Sequence, residues 1–337
     1  REKAFIKRVS EGCIERRIQL DYVLNLYSKT PVKKMKPLIR ELLRMSTYQL
    51  LFMEHVPDAA VCNEAVKLAK KRRFQNLQGY VNGVLRNIAR GRDEIIYPHR
   101  ETSCMEYLSV YYSMPLWLVE HFTRAYGETA CENILRAYLE KRSIGIRLRE
   151  TLSEEEQERL LASWKQAGIS ASKHPYLPYA AQIEGAEGIR RMKGYEEGLF
   201  AVQDISSMLV VEVAGIRPGD TVVDVCAAPG GKALHAADKL AGTGQVIACD
   251  VTSYKTDRIE ENRMRLGAKN LSVRVQDARI QDASLAGKAD VVLADVPCSG
   301  LGVIGRKQDI KYRVTQESLQ EINHLQREII ANVVHYV

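Results

Sequence analysis

TVVDVCAAPGGK, residues 221–232, is the stretch whose reading decides the fold. Val222, Val223 and Val225 make an apolar, β-branched run, which suits a parallel strand covered on both faces. The run breaks at Pro229, Gly230 and Gly231 and continues into the helix-like ALHAADKLA (233–241). Proline and paired glycines allow a sharp turn. They also let the backbone approach a ligand closely, because a side chain there would occupy the ligand's space. Such a turn alone also fits a plain strand-to-helix connection, so the downstream strands matter.

Three further apolar runs follow. QVIACD ends in Asp250, LSVRVQDA contains Asp277, and ADVVLADVPCSG contains Asp295. Successive strands thus each carry a carboxylate at the C-terminal edge, where open α/β sheets bind ligands, and Asp250 falls where such folds place the acid that binds ribose hydroxyls. A single aspartate there is ordinarily a cap or turn residue; three in phase point to a nucleoside site. Neither GxGxxG at dinucleotide spacing nor GxxxxGK[ST] is present, which disfavours NAD and ATP.

CAAPGGK (226–232), DVPCSGLG (295–302) and VQDISSML (202–209) together resemble the motifs of S-adenosylmethionine-dependent RNA cytosine-5 methyltransferases. Across its length the chain is similar to the Sun/RsmB type, which acts on bacterial small-subunit (16S) ribosomal RNA. The resemblance implies S-adenosyl-L-methionine as cofactor and assigns its site to Cys226, Ala227, Ala228, Pro229, Gly230, Gly231 and Lys232. It further gives Asp250 the ribose, Asp277 the adenine side and Asp295 the methyl-transfer region, with Asp295 and Cys298 as catalytic residues. Lys232 can be read as structural or as assisting in the site. Carboxylates accept hydrogen bonds from ribose hydroxyls or an exocyclic amine, and amides beside Gly230 can meet a carboxylate, so the assignments are chemically sensible.

Methylation at carbon 5 of cytosine needs a thiolate at carbon 6 to make carbon 5 nucleophilic, then a base to remove the carbon-5 proton. Cys298 is placed for such chemistry. In the resembling RNA family a second cysteine, in a Thr-Cys motif after the next strand, attacks, and the Pro-Cys cysteine assists release. No Thr-Cys dipeptide occurs in residues 1–337. With Arg1 in first place and only four catalytic-domain strands legible, the expectation is a chain cut at both ends, with the nucleophile beyond residue 337. A related RNA-binding or regulatory protein without catalysis is the alternative. The family's arginine pair and proline are replaced at Gly305, Arg306, Lys307 and Gln308, and Tyr312 stands where a tryptophan is common, which bears on RNA contacts rather than on the cofactor.

The chain has 337 residues, enough for several cores. No run approaches the length of a membrane span and no signal-like segment opens the chain, so a cytoplasmic location without membrane partners is expected. Seven cysteines form no CxxC, which predicts neither zinc nor disulfides. The net charge is +7 overall, but residues 1–93 alone hold 20 Lys/Arg against 9 Asp/Glu, so the basic surface is N-terminal and ribosomal RNA is the expected partner.

Four regions are predicted. Residues 1–93 form an all-α bundle, with helical stripes at Phe5, Ile6 and Val9, then Ile18, Tyr22, Val23 and Leu26, then Ile39, Leu42 and Leu43, punctuated by Pro31, Pro37 and Pro57. Its segment VPDAAVCNEAVKLAK followed by YVNGVLRNI resembles a NusB-like RNA-binding domain, with Lys70, Lys71, Arg72, Arg73, Arg86 and Arg90 offered to RNA phosphates. Residues 94–140 are a helical linker region. Residues 141–200 read as a small α+β subdomain: a strand at IGIRLR, a helix opened by a Ser153/Glu156 capping box, and strands at ISASKH and AAQIEG. The resemblance makes this layer RRM-like, although it lacks the aromatic signature for reading bases. Residues 201–337 are the α/β, Rossmann-like methyltransferase domain, incomplete at the C-terminus. The fold class is therefore multidomain.

Overall fold

The computed structural model describes residues 2–140, 143–186 and 188–337. The chain divides into two compact units, Arg1–Lys141 with Gly300–Val314, and Arg142–Ser299 with Thr315–Val337.

The first unit is helical. Helices α1 (Glu2–Glu15), α2 (Arg17–Tyr27), α3 (Pro37–Phe52), α4 (Asp58–Lys71) and α5 (Gln78–Gly91) precede α6 (Cys104–Tyr111), α7 (Leu116–Tyr126) and α8 (Glu128–Leu139). Pro37 occupies the first turn of α3 and Pro57 the N-cap of α4, where a missing N–H removes no helical bond. Leu24, Ile39, Leu43, Leu85 and Ile88 are among the residues that make one core, and Leu108, Leu118, Phe122 and Leu135 are among those that make a second. Two expected stripes are shifted. Val9 is buried while Phe5 and Ile6 are exposed, and α2 buries Leu20, Val23 and Leu24 while Leu26 faces outward.

The second unit opens with a small antiparallel sheet: β1 (Ile144–Leu148), β2 (Ser170–Lys173), β3 (Ala180–Glu184) and β4 (Phe200–Val202), in the order β2-β3-β1-β4. The expected Ser153/Glu156 box caps α9 (Glu154–Gln166), whose Trp164 packs edge-on against Phe200. Strand β4 lies at the predicted boundary near residue 200 and pairs Ile146 with Val202.

After α10 (Ile205–Val213) come β5 (Thr221–Asp224), α11 (Gly231–Lys239), β6 (Gln245–Asp250), α12 (Ser253–Leu266), β7 (Leu271–Val275), β8 (Val291–Leu293) and α13 (Gln316–Val333). The four strands are parallel, in the order β7-β6-β5-β8. Val222, Val246 and Ala248 face a core with Leu234 and Ile259, while Val223, Val225 and Ile247 face Ile329, Val333 and Tyr336. Both faces of β5 and β6 are thus covered, which explains why these two inner strands read as apolar runs. The small sheet packs on this layer through buried Arg147, which is paired with Asp238 and donates to Gln203 at 2.8 Å. Residues 300–314, placed with the methyltransferase region in the sequence reading, cluster with the helical unit.

Candidate functional site

The 226–232 loop is built by its neighbours. The Ala227 amide donates to the Cys249 carbonyl at 2.9 Å, the Ala228 amide to an Asp250 carboxylate oxygen at 3.0 Å, and the Asn262 side chain to the Pro229 carbonyl at 3.0 Å. The Ala228–Pro229 peptide is cis. Gly230 has φ +104°, and a Cβ there would meet Leu234 at 3.1 Å and Ile259 at 3.3 Å. Its backbone conformation and its packing each call for glycine. An added Cβ at Gly231 would meet nothing nearer than Gln203 at 3.9 Å, on the wall of an open cleft.

That cleft, about 240 Å³, brings together Cys226, Ala227, Ala228, Pro229, Gly231, Lys232 and Asp295 with Asp204, Ser207 and Asp224. The Lys232 ammonium lies 2.5 Å from Asp295 and 3.4 Å from the Ser207 hydroxyl. Asp224 is 1% exposed with one carboxylate oxygen unpartnered, and burial pushes its pKa up to about 7, against the pull of the Cys226 amide and the Lys232 charge. Sequence reasoning passed over this residue, although an aspartate inside TVVDV was a signal: an apolar run rarely spends a buried position on a carboxylate without a use for it.

Asp250 and Asp277 do not line the cleft. Asp250 ends β6, buried, accepting from the Val251 amide at 2.8 Å as well as from Ala228, with the Lys255 ammonium at 2.9 Å. Asp277 is held by the Arg279 guanidinium at 2.6 Å, which keeps its pKa below the usual carboxylate range. Burial pushes the Cys226 thiol up to about 11 and Cys249 up to about 12, so neither is poised as a thiolate. Cys298 is exposed just beyond β8, in a loop fastened by the Gln326 side chain donating to the Pro297 carbonyl at 2.8 Å.

The expected cofactor chemistry fits these residues. The first turn of α11 has no side-chain cap, the unpartnered Asp224 oxygen can accept from an ammonium, and Gly231 leaves room. Glu150, Glu212 and His235 also converge within metal-ligand reach. The Lys239 ammonium already bridges the two carboxylates at 3.1 and 2.6 Å, and Tyr179 donates to Glu212, so this group reads as an ion-paired knot tying the small sheet to α11.

In the helical unit Lys70, Lys71, Arg72 and Arg73 are exposed at the end of α4, and Arg86 and Arg90 are exposed on α5. Arg86 donates to Asn82 at 3.0 Å and Arg90 to Asn87 at 2.7 Å, so these two are held along their own helix. No helix among the described residues is long and apolar enough to cross a membrane.

Family models match the chain in three places: the NusB family over residues 1–90, the RsmF/B-like ferredoxin-like domain over 114–190, and 16S rRNA methyltransferase RsmB/F over 212–337. A probable ribosomal RNA small subunit methyltransferase B of Bacillus subtilis (strain 168) is 33% identical over 331 residues, covering 97% of this chain and 72% of that relative. The chain belongs to the ribosomal RNA small subunit methyltransferase B family. The enzyme of that name from Escherichia coli O1:K1 / APEC is 30% identical, with 98% of this chain and 74% of the relative covered. Among solved structures, PH0851 matches with a TM-score of 0.80 at 24% identity, covering 99% of this chain and 74% of that one. NSun6 from Pyrococcus horikoshii, solved with SFG, matches with a TM-score of 0.59 at 21% identity, covering 66% of this chain and 80% of that one. These structural likenesses show the fold. The family membership accounts for the all-α, small α+β and Rossmann-like parts in their observed order.

Proposed function

We propose that this member of the family methylates carbon 5 of a cytosine in small-subunit ribosomal RNA, using S-adenosyl-L-methionine and a covalent cysteine–cytosine intermediate. The observation that carries the reading is the cleft in which the CAAPGGK loop, buried Asp224 and the Lys232–Asp295 pair meet at the C-terminal edge of a parallel sheet. S-adenosyl-L-methionine supplies an electrophilic methyl group when bound. The uncapped first turn of α11 and Asp224 hold the ends of an amino acid moiety, while Asp250 fixes the loop and accepts from ribose hydroxyls. Asp277 takes the adenine side.

Asp295, ion-paired with Lys232, accepts from the cytosine amino group and orients the ring. The attacking thiolate is proposed to be that of the Thr-Cys cysteine which the family resemblance implies, a dipeptide not found among residues 1–337. It adds to carbon 6, carbon 5 takes the methyl group, a base removes the carbon-5 proton, and the electron pair returns to expel the thiolate, a step that Cys298 assists. The basic end of α4 and the outer side of α5 supply phosphate contacts. The test is incubation of the protein with small-subunit rRNA and methyl-labelled cofactor, followed by nucleoside chromatography. Label in 5-methylcytidine is expected. Label in another nucleoside overturns the carbon-5 assignment, and rRNA binding without any label favours a binding protein instead.

A further inference from the structure

Two residues lining the cleft carry a buried polar atom without a hydrogen-bond partner among the described residues, and the two atoms are of opposite kind. One is a carboxylate oxygen of Asp224 and the other is the side-chain Nε2 of Gln203. The first can accept a proton and the second has protons to donate. Gln203 is 5% exposed, and its backbone is held at close range by β1. Its N–H donates to the Gly145 carbonyl at 3.1 Å, and a Cβ on Gly145 would collide with the Gln203 carbonyl.

Chemistry leaves the side chain one orientation. Arg147, 2% exposed and paired with Asp238, donates its Nε–H to the Gln203 Oε1 at 2.8 Å. A guanidinium has donors and no acceptor, so it can face only the oxygen of a carboxamide, and the NH2 group is turned away from it. Burying that NH2 without an acceptor opposes folding, and a ligand that brings an acceptor removes the cost. The carboxamide also lies beside the first turn of α11: a Cβ on Gly231 would stand 3.9 Å from the Gln203 Cγ and Cδ, and this turn has no side-chain cap.

We infer that Gln203 is a cofactor-binding residue, its Nε2 donating to the carboxylate of the cofactor's amino acid moiety beside the first turn of α11 while Asp224 takes the ammonium. The inference rests on the proposed reading of this cleft as the S-adenosyl-L-methionine site. Asp224 alone would accept any amine; with Gln203 the cleft asks for an amine and a carboxylate together. The VQDISSML segment thereby gains a physical task. Through Arg147 the small antiparallel sheet sets the direction of a ligand contact, besides packing on the parallel layer.

The test is titration calorimetry of the intact protein with two ligands, S-adenosylhomocysteine and its decarboxylated analogue, which keeps the amine and lacks the carboxylate. Gln203→Glu leaves Arg147 its acceptor and replaces the NH2 group by an oxygen. Gln203→Met removes the donor without adding charge; circular dichroism checks its fold, and Gln203→Glu decides alone if it unfolds. Both variants are expected to bind S-adenosylhomocysteine about tenfold or more weakly than the native protein, and the decarboxylated analogue no more weakly. Unchanged affinity of a folded variant for S-adenosylhomocysteine, or an equal loss for both ligands, overturns the role of Gln203. Native protein that binds neither ligand overturns instead the placing of the cofactor in this cleft.

Discussion

The ammonium of Lys232 sits 2.5 Å from the carboxylate of Asp295, and its charge also bears on Asp224, buried at the end of β5. Two carboxylates thus lean on one cation, and the more buried of them is the one held near neutrality. The folded pKa of Asp224, about 7, lies above its ordinary 3.8. Its contribution to stability is therefore fully present below about pH 4 and is lost as pH rises through 7. Asp224→Asn should cancel this loss. Relative to the native protein it gains stability between pH 4 and 7, at up to about 1.4 kcal/mol per pH unit, and holds the gain above. Lys232→Met should extend the native loss to higher pH by removing the charge that favours ionised Asp224. Urea unfolding followed across pH 4–8 measures both; parallel native and Asp224→Asn curves would show that Asp224 ionises freely in the fold.

Asp250 has one task in this structure and a second in the proposed function. It accepts from the Ala228 amide and so shapes the loop, and in the proposed function it also meets the cofactor's ribose. Asp250→Ala should weaken S-adenosylhomocysteine binding by about 1.5–3 kcal/mol, the range for losing hydrogen bonds to a charged group. Titration calorimetry decides the matter, and equal affinities would remove Asp250 from the site.

The inner strands of the Rossmann-like layer were legible because both their faces are covered, so that Val222–Val225, Asp224 apart, and Val246–Cys249 are apolar runs. The Ser153/Glu156 box was legible because capping is local: hydroxyl and carboxylate three residues apart answer each other's backbone amides. The outward turn of Phe5 and Ile6 was not, because periodicity reports which residues share a face, not whether a partner covers it. The packing of Gly230 was not legible either, because glycine looks the same in sequence whether a ligand, a neighbouring Ile259 or a positive φ requires it. Residues 300–314 defeated the reading for a related reason: nothing local marks a return of the chain to helices that lie far earlier in the sequence.

Lys70, Lys71, Arg72 and Arg73 extend from the end of α4 as one exposed cluster. Their joint replacement by alanine should weaken binding to an rRNA fragment and flatten its salt dependence, because each lost phosphate contact removes up to about 0.9 from the slope of log affinity against log salt. Filter binding at several salt concentrations reads the slope, and an unchanged value would make the cluster a solvated face. S-adenosylhomocysteine affinity should be indifferent to the change.

Cys298 is exposed just beyond β8, and in the proposed function two kinds of chemistry are open to it. A nucleophile there would make Cys298→Ala in the intact protein abolish both methyl transfer and the covalent protein–RNA adduct. If another cysteine attacks and Cys298 assists release, addition and methylation still occur but elimination slows, so the same variant accumulates the adduct. The second outcome is expected, since the CAAPGGK loop and the VQDISSML segment place the chain with the RNA enzymes rather than with those that attack from the Pro-Cys position. A denaturing gel of the variant with rRNA and S-adenosyl-L-methionine separates the cases. A retarded, RNA-bearing band supports assisted release, and absence of both band and methylation supports attack by Cys298. Full turnover without a band would leave Cys298 no part in the covalent chemistry, because neither addition nor elimination would then depend on its sulfur.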